Sequence, residues 1–296
     1  MSPTFEAYLA DLKTQLAGTD PATVQDALAD AEDHLRSALA QALRDKPGTS
    51  EGEVLAGILE HYGTAAEVAK AYREIEVRLT PPFARPIVRE ERSPLVRFFG
   101  VLGDTRAYGA LLYMLIALVT GILYFTWAVT GVSLSIGLMV LIFGLPFFGL
   151  FVFSIQGLAL VEGRLVEALL GVRMPRRQVP FRSAKGIWGK FKARVRDRRT
   201  WTTLAYLVLQ LPLGVIYFSV FIVLLAYALN LMALPIVQYV LDQGLIVIGS
   251  NHIRLPVWSM PFLILAGALD VVFLLHLARL VGRMHGGLAK SLLVQR

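Results

Sequence analysis

Asp270 stands in the apolar run AGALDVVFLLHLARL, where its neighbours suit hydrocarbon. An ionisable side chain at bilayer depth costs about 2.5–3.5 kcal/mol on insertion scales. It therefore either works there or is protonated and hydrogen-bonded, with Gln210 or a nearby tyrosine as partner. Further along the same run, His276, Arg279 and Arg283 share one helical face, a spacing that carries their charges to lipid phosphates. Glu162 closes another apolar run and is expected to pair with Arg164 or Arg283. Asp30 and His34 stand four apart, as two metal ligands can, but only His61 offers a third group. They read as a charged helix face.

The chain has no P-loop, Gly-x-Ser-x-Gly, His-Glu-x-x-His or Cys-x-x-Cys motif. It has no cysteine, which excludes disulfides, thiolate ligands and thiol nucleophiles. No catalytic residue, cofactor or metal is expected. The candidate functional residues are intramembrane: Asp270, Gln210, Tyr206, Tyr217, Tyr113 and Tyr124. An enzyme using Asp270 and Glu162 as intramembrane carboxylates is the weaker alternative.

A second set of residues acts through charge. Between Arg173 and Arg199 there are 11 Lys and Arg against one acid, Asp197. The bases are Arg173, Arg176, Arg177, Arg182, Lys185, Lys190, Lys192, Arg194, Arg196, Arg198 and Arg199. Residues 1–79 hold 14 acids against 7 bases, a balance of −7. A basic block next to a membrane span suits anionic lipid better than nucleic acid, which is not an expected partner. It also suits the acidic N-terminal region, which it would hold by screened attraction. Charge reversal of Arg194, Arg196, Arg198 and Arg199 is expected to free that region for proteolysis.

These residues must be positioned by membrane helices. Of the 296 residues 55% are hydrophobic and mean hydropathy is +0.59, too apolar for an ordinary soluble enzyme. Four runs are long enough to cross about 30 Å of hydrocarbon: 107–129, 136–161, 202–229 and 256–281. A tight turn TGVSLS is expected between the first two, and an outer insert at 230–255, with a hairpin turning at Gly249-Ser250-Asn251. The start shows no basic segment followed by an apolar one, so no cleavable signal peptide is expected. The Lys/Arg excess places the 173–199 loop on the cytoplasmic side, and four spans then place both termini there.

The membrane half contains a repeat. Shifted by 93 positions, Asp104, Arg106, Tyr113, Gly121 and Tyr124 fall on Asp197, Arg199, Tyr206, Gly214 and Tyr217. Each copy starts inside and is followed by a returning span, so the two units are expected to be parallel repeats. Gly121 and Gly214 would sit at equal depth and allow close helix approach. The tyrosines would pin neighbouring helices through their hydroxyls, while Tyr108 and Trp201 suit the bilayer interface. The returning ends echo at Gly163-Arg164 and Gly282-Arg283, each expected to become an amphipathic helix on the inner surface.

The N-terminal region reads as four short helices. Phe5, Tyr8, Leu9, Leu12 and Leu16 give the first. Asp20 is the expected N-cap of a second, with Pro21 at its first position. Ser50 with Glu53 opens a third, and a fourth follows Gly63. The stretches YLADLKTQL, DALADAEDHLRSAL and GILEHYGTAAEVAKAY, with Tyr62-Gly63 and Glu67-Val68-Ala69, resemble the HAAS-type helical module of bacterial membrane proteins. The usual Leu and Pro of the last motif are replaced here. The resemblance implies a cytoplasmic interaction domain and no chemistry. The proline-rich stretch TPPFARPIVREERSP then reads as a linker, and LVRFFGVLGDTR as a membrane-surface segment.

Residues 102–294, through YLVLQLPLGVIYF, FGLPFF, GRLVEALLGVRMP and DRRTW, resemble the sensor domain of bacterial membrane signalling proteins. That domain often precedes a histidine kinase. No His-containing dimerisation helix or Gly-rich ATP lid follows in this sequence, so the report is expected to pass through another protein. The expected fold is all-α: a HAAS-like domain at 1–79, a linker at 80–101, and a four-span domain at 102–296 split into repeats 102–196 and 197–296. The expected function is a non-enzymatic sensor or signalling adaptor in the bacterial inner membrane. Its partners would be the bilayer, with anionic lipid at the basic loop, and an unknown cytoplasmic protein; a homodimer stays open. An assembly or transport accessory subunit and a lipid-modifying enzyme are the alternatives.

Overall fold

The computed structural model describes residues 5–45, 50–78, 93–138, 140, 144–176, 192, 196–239, 246–248 and 251–294. The first four helices are α1 (Phe5–Gln15), α2 (Pro21–Asp45), α3 (Glu51–Tyr62) and α4 (Ala65–Arg78). Their ends follow the cap chemistry of the sequence. Asp20 Oδ1 accepts from Ala22 N at 2.9 Å, and Ser50 Oγ accepts from Glu53 N at 3.3 Å. Thr64 and Glu67 make a reciprocal box at the start of α4, with Glu67 Oε2 accepting from Thr64 N at 2.9 Å. Those hydrogen bonds, the backbone one foremost, hold the Glu67 carboxyl below its ordinary pKa. Leu12, Leu16, Ala27, Ala31, Ala65 and Ala69 form the core of this head, covered by Tyr8, Tyr62 and Tyr72.

Tyr8 donates to the Gly63 carbonyl at 3.1 Å, where φ is +98°. Burial, with smaller contributions from Tyr62, Asp11 and Glu67, raises the Tyr8 phenol to about 12. A raised phenol pKa favours the folded head fully below the unfolded value of about 10. That contribution is lost as pH rises through 12. Circular dichroism at 222 nm should show helix loss between these values, and Tyr8→Phe should flatten that part of the curve.

After a short α5 (Pro94–Phe99) and a 3₁₀ turn at Gly100–Gly103 come the long helices. These are α6 (Thr105–Leu138), α7 (Gly144–Leu165), α8 (Arg198–Tyr239) and α9 (Met260–Leu293). Among the described residues, four helical stretches are long and apolar enough to span a membrane: Thr105–Leu138, Pro146–Leu170, Thr200–Tyr239 and Val257–Leu293. This is a helical, multi-pass membrane protein. Bulky apolar side chains such as Val119, Leu123, Phe153 and Val223 stay exposed on these helices, as lipid-facing groups should.

Several boundaries differ from the sequence expectation. The TGVSLS stretch is helical, and α6 runs through it. Gly131 lies against the Phe151 ring with no room for a Cβ, and Ser135 returns its hydroxyl to the Gly131 carbonyl at 2.6 Å. α8 likewise continues ten residues past Leu229, to Tyr239. Each returning end continues its membrane helix. No proline interrupts them, so α9 is unbroken to Leu293, and α7 passes directly into a π turn at Val166–Leu170. Between α8 and α9, β1 (Ile246–Ile248) pairs antiparallel with β2 (Asn251–Ile253), so Asn251 belongs to the strand, paired with Ile248. Gln238 clamps the chain beyond β2, through both the N–H and the carbonyl of Leu255, at 3.0 and 2.7 Å.

The chain divides into two compact units. The first joins residues 1–84, 128–206 and 287–296, so it groups the acidic head with α7, the turn after it and the last residues of α9. The second joins 85–127 and 207–286. Within the second, Asp104 accounts for the Asp-x-Arg mark. Its Oδ1 accepts from Arg106 N at 3.1 Å to cap α6, and its Oδ2 lies 3.2 Å from Arg279 Nη1. Val101, Ala107, Val272 and Leu275 pack beneath that pair. The two glycines of the repeat form the crossing of α6 and α8. A Cβ on Gly121 would lie 2.6 Å from Gln210 O, and one on Gly214 would lie 2.3 Å from Ala117 O.

Candidate functional site

In the first unit, α2 turns an otherwise alanine-rich face inward, and Asp26 lies on it with only 6% exposure. The site that receives it is built where α7 ends. The π turn carries Glu167, and Gly171, at φ +66°, reverses the chain in the left-handed conformation that glycine adopts without strain. Residues 172–175 then return Arg173 against the helix end, 8% exposed.

Arg173 uses its whole fork. Nη2 meets Asp26 Oδ2 at 2.9 Å, Nε meets Glu76 Oε1 at 3.3 Å, and Nη1 meets Glu167 Oε1 at 3.4 Å. The same Nη1 donates to the Met174 carbonyl. Asp26 Oδ1 accepts from Arg176 N at 2.6 Å, and Arg176 Nη2 lies 3.5 Å from Glu167. Arg164 pairs with Glu167, and Lys290, near the end of α9, pairs with Asp20. Burial opposes the Arg173 charge, yet Glu76, Asp26 and Glu167 together outweigh it and push its pKa up. A buried guanidinium held this way stays charged and fixes the geometry around it.

The second unit holds a polar chain inside the membrane helices. Gln210 Nε2 donates to Tyr113 Oη at 3.1 Å, Tyr113 Oη lies 2.6 Å from His285 Nε2, and Tyr217 Oη lies 3.3 Å from His285 Nδ1. Tyr113 thus bridges Gln210 and the His285 ring, whose other nitrogen meets Tyr217. Gln210 is fully buried and His285 is 1% exposed. In the first unit the repeat mate of Tyr113, Tyr206, donates to the fully buried Glu162 at 2.8 Å. Each first-span tyrosine thus meets an ionisable group on a returning helix. His285→Phe removes a hydrogen-bonding partner from each of two tyrosine hydroxyls, at about 1–3 kcal/mol for each buried group left unsatisfied. A lower melting temperature in detergent, partly restored by His285→Gln, is the expected result.

Gln210, Tyr113 and Tyr217 are therefore brought together, Tyr206 pairs with Glu162, and Tyr124 is buried at 4% exposure. Asp270 does not meet Gln210 by any such bond; its Oδ2 has no hydrogen-bond partner among the described residues. His276 binds the Phe98 carbonyl at 3.0 Å and stacks on that ring, while Arg279 is taken by Asp104. Asp30 accepts from Tyr72, and His34 stacks on Tyr62 at 4.8 Å. Of the basic loop, Arg173 and Arg176 meet the head, while Lys192, Arg196 and Arg198 are exposed. Arg177, Arg182, Lys185, Lys190 and Arg194, and the Arg199 side chain, lie outside the described residues.

His285, Glu167, Asp26, Glu76 and Lys290 were not singled out by their sequence context. The one available signal was Asp26, an acid at helical spacing with the small residues Ala22 and Ala29. A family model described as "Putative sensor" matches residues 113–293, more than half of the chain. No curated protein and no solved structure matches it.

Proposed function

The chain belongs to this sensor family, and we propose that it is a non-enzymatic membrane sensor and signalling adaptor whose acidic head is the output. The observation that carries this reading is Arg173. It ties the end of a membrane helix to two acids of the head, Asp26 and Glu76, in a buried ion-pair network. A change in the bilayer or on its outer side that shifts α7 moves the Glu167–Arg173 turn, and the head with it. The basic loop, the head and both termini face the cytoplasm of a bacterial cell by the positive-inside rule. The head, in its HAAS-like form, then presents its outer surface to a cytoplasmic protein. The membrane half acts as two like-directed hairpins, with α7 and the turn after it carrying the stimulus to the head.

The test uses the full chain in nanodiscs. Hydrogen exchange of α2 and α4 is followed while bilayer thickness and anionic lipid content are varied. Protection of these helices is expected to change with the bilayer while α6 stays protected. Exchange that is the same in every bilayer overturns the reading.

A further inference from the structure

The turn from Gly171 to Arg176 has the chemistry of an anion site that the head now fills. We infer that a phosphate group, as borne by an anionic lipid or by free phosphate, is the competing ligand of this site. Asp26 is held as an oxyanion is held: Oδ1 by the main-chain N–H of Arg176 at 2.6 Å, Oδ2 by the Arg173 guanidinium at 2.9 Å. A backbone donor beside a guanidinium fork recognises tetrahedral phosphate with the same two contacts. Glu76 covers the Nε edge of the fork, at 3.3 and 3.4 Å.

Charge balance gives the reason for a replacement. Arg164, Arg173 and Arg176 are paired with Asp26, Glu76 and Glu167. Without the two head carboxylates, three guanidiniums face Glu167 alone, leaving an excess of two positive charges around a buried arginine. An uncompensated buried charge is unfavourable, so the head leaves most readily when another anion enters. Place and access agree with phosphate. The site begins just past Leu170, the end of a membrane span, which is the level of lipid head groups. The Arg164 and Arg176 side chains are 43% and 37% exposed, and give an anion its way in. That such binding frees the head rests on the function proposed above; the binding itself does not.

The test measures retention of phosphatidylglycerol by native mass spectrometry, and a thermal-shift titration with inorganic phosphate, on the full chain in neutral detergent. The double variant Asp26→Asn/Glu76→Gln removes the internal competitor. If the head vacates the wild-type site about a tenth of the time, the variant gains about tenfold in affinity. Adding Arg173→Gln should abolish the gain. Should the double variant not fold, Asp26→Asn alone, which keeps the side chain's size, carries the same comparison. A gain for phosphatidylglycerol alone assigns the site to lipid, and a gain with inorganic phosphate assigns it to the free anion. No gain with either, or a gain that survives Arg173→Gln, overturns the inference. A gain without any change in head exchange keeps the site and removes the proposed signalling role.

Discussion

Arg173→Ala is expected to release the head from the end of α7. The substitution leaves Asp26, under a tenth exposed, and the partly covered Glu76 without the guanidinium that pairs with them, while Glu167 keeps Arg164 and Arg176. Removing one partner from a buried ion pair costs about 3–5 kcal/mol, because the remaining charge stays desolvated. That is a large share of the stability of an ordinary domain. Faster proteolysis between α1 and α4, and faster exchange in α2, are the expected readouts in nanodiscs. Arg173→Lys keeps the charge but loses the fork, so it should fall between alanine and wild type. Arg196→Glu is the informative control. The sequence suggests that the basic loop holds the head; among its described residues Arg173 and Arg176 meet it, while Arg196 is exposed. Unchanged protection in Arg173→Ala would remove the basis for the proposed relay.

The second large effect is expected at the helix crossing. A Cβ on Gly214 would lie 2.3 Å from the Ala117 carbonyl oxygen and 3.0 Å from Leu118 Cα. These are backbone atoms of a long helix, which cannot turn aside as a side chain can. Gly214→Ala should therefore force α6 and α8 apart, at about 1–3 kcal/mol for overpacking, and Gly214→Leu at more. Thermal unfolding in detergent should show both, in that order. Gly157→Ala is the control: its Cβ would enter open space, and alanine favours a helix, so no loss is expected. Equal stability of Gly214→Leu and wild type would overturn the close crossing.

This crossing also bears on the repeat. The shift of 93 carries Ala117 to Gln210 and Gly121 to Gly214, so it turns the Gly121–Gln210 approach into the Gly214–Ala117 one. Gly121→Ala, with its Cβ at 2.6 Å from Gln210 O, should then destabilise in the same direction.

The amino-acid sequence determined what depends on near neighbours. Apolar length produced the four membrane helices, and Asp20 and Ser50 marked helix starts because a cap bonds within three residues of itself. The paired glycines showed as a repeat before their contact was known. Helix ends were less legible, because TGVSLS breaks a helix only if nothing packs on it, and Phe151 does. Partners far apart in the chain were decided by tertiary structure alone. Arg173 meets Asp26 across 147 residues and His285 meets Tyr113 across 172. Asp270 and the arginine run looked the more prominent in sequence, since local contrast reveals a charge out of place. Whether a charge is buried and compensated depends on which helices meet, and that is set by packing over the whole fold.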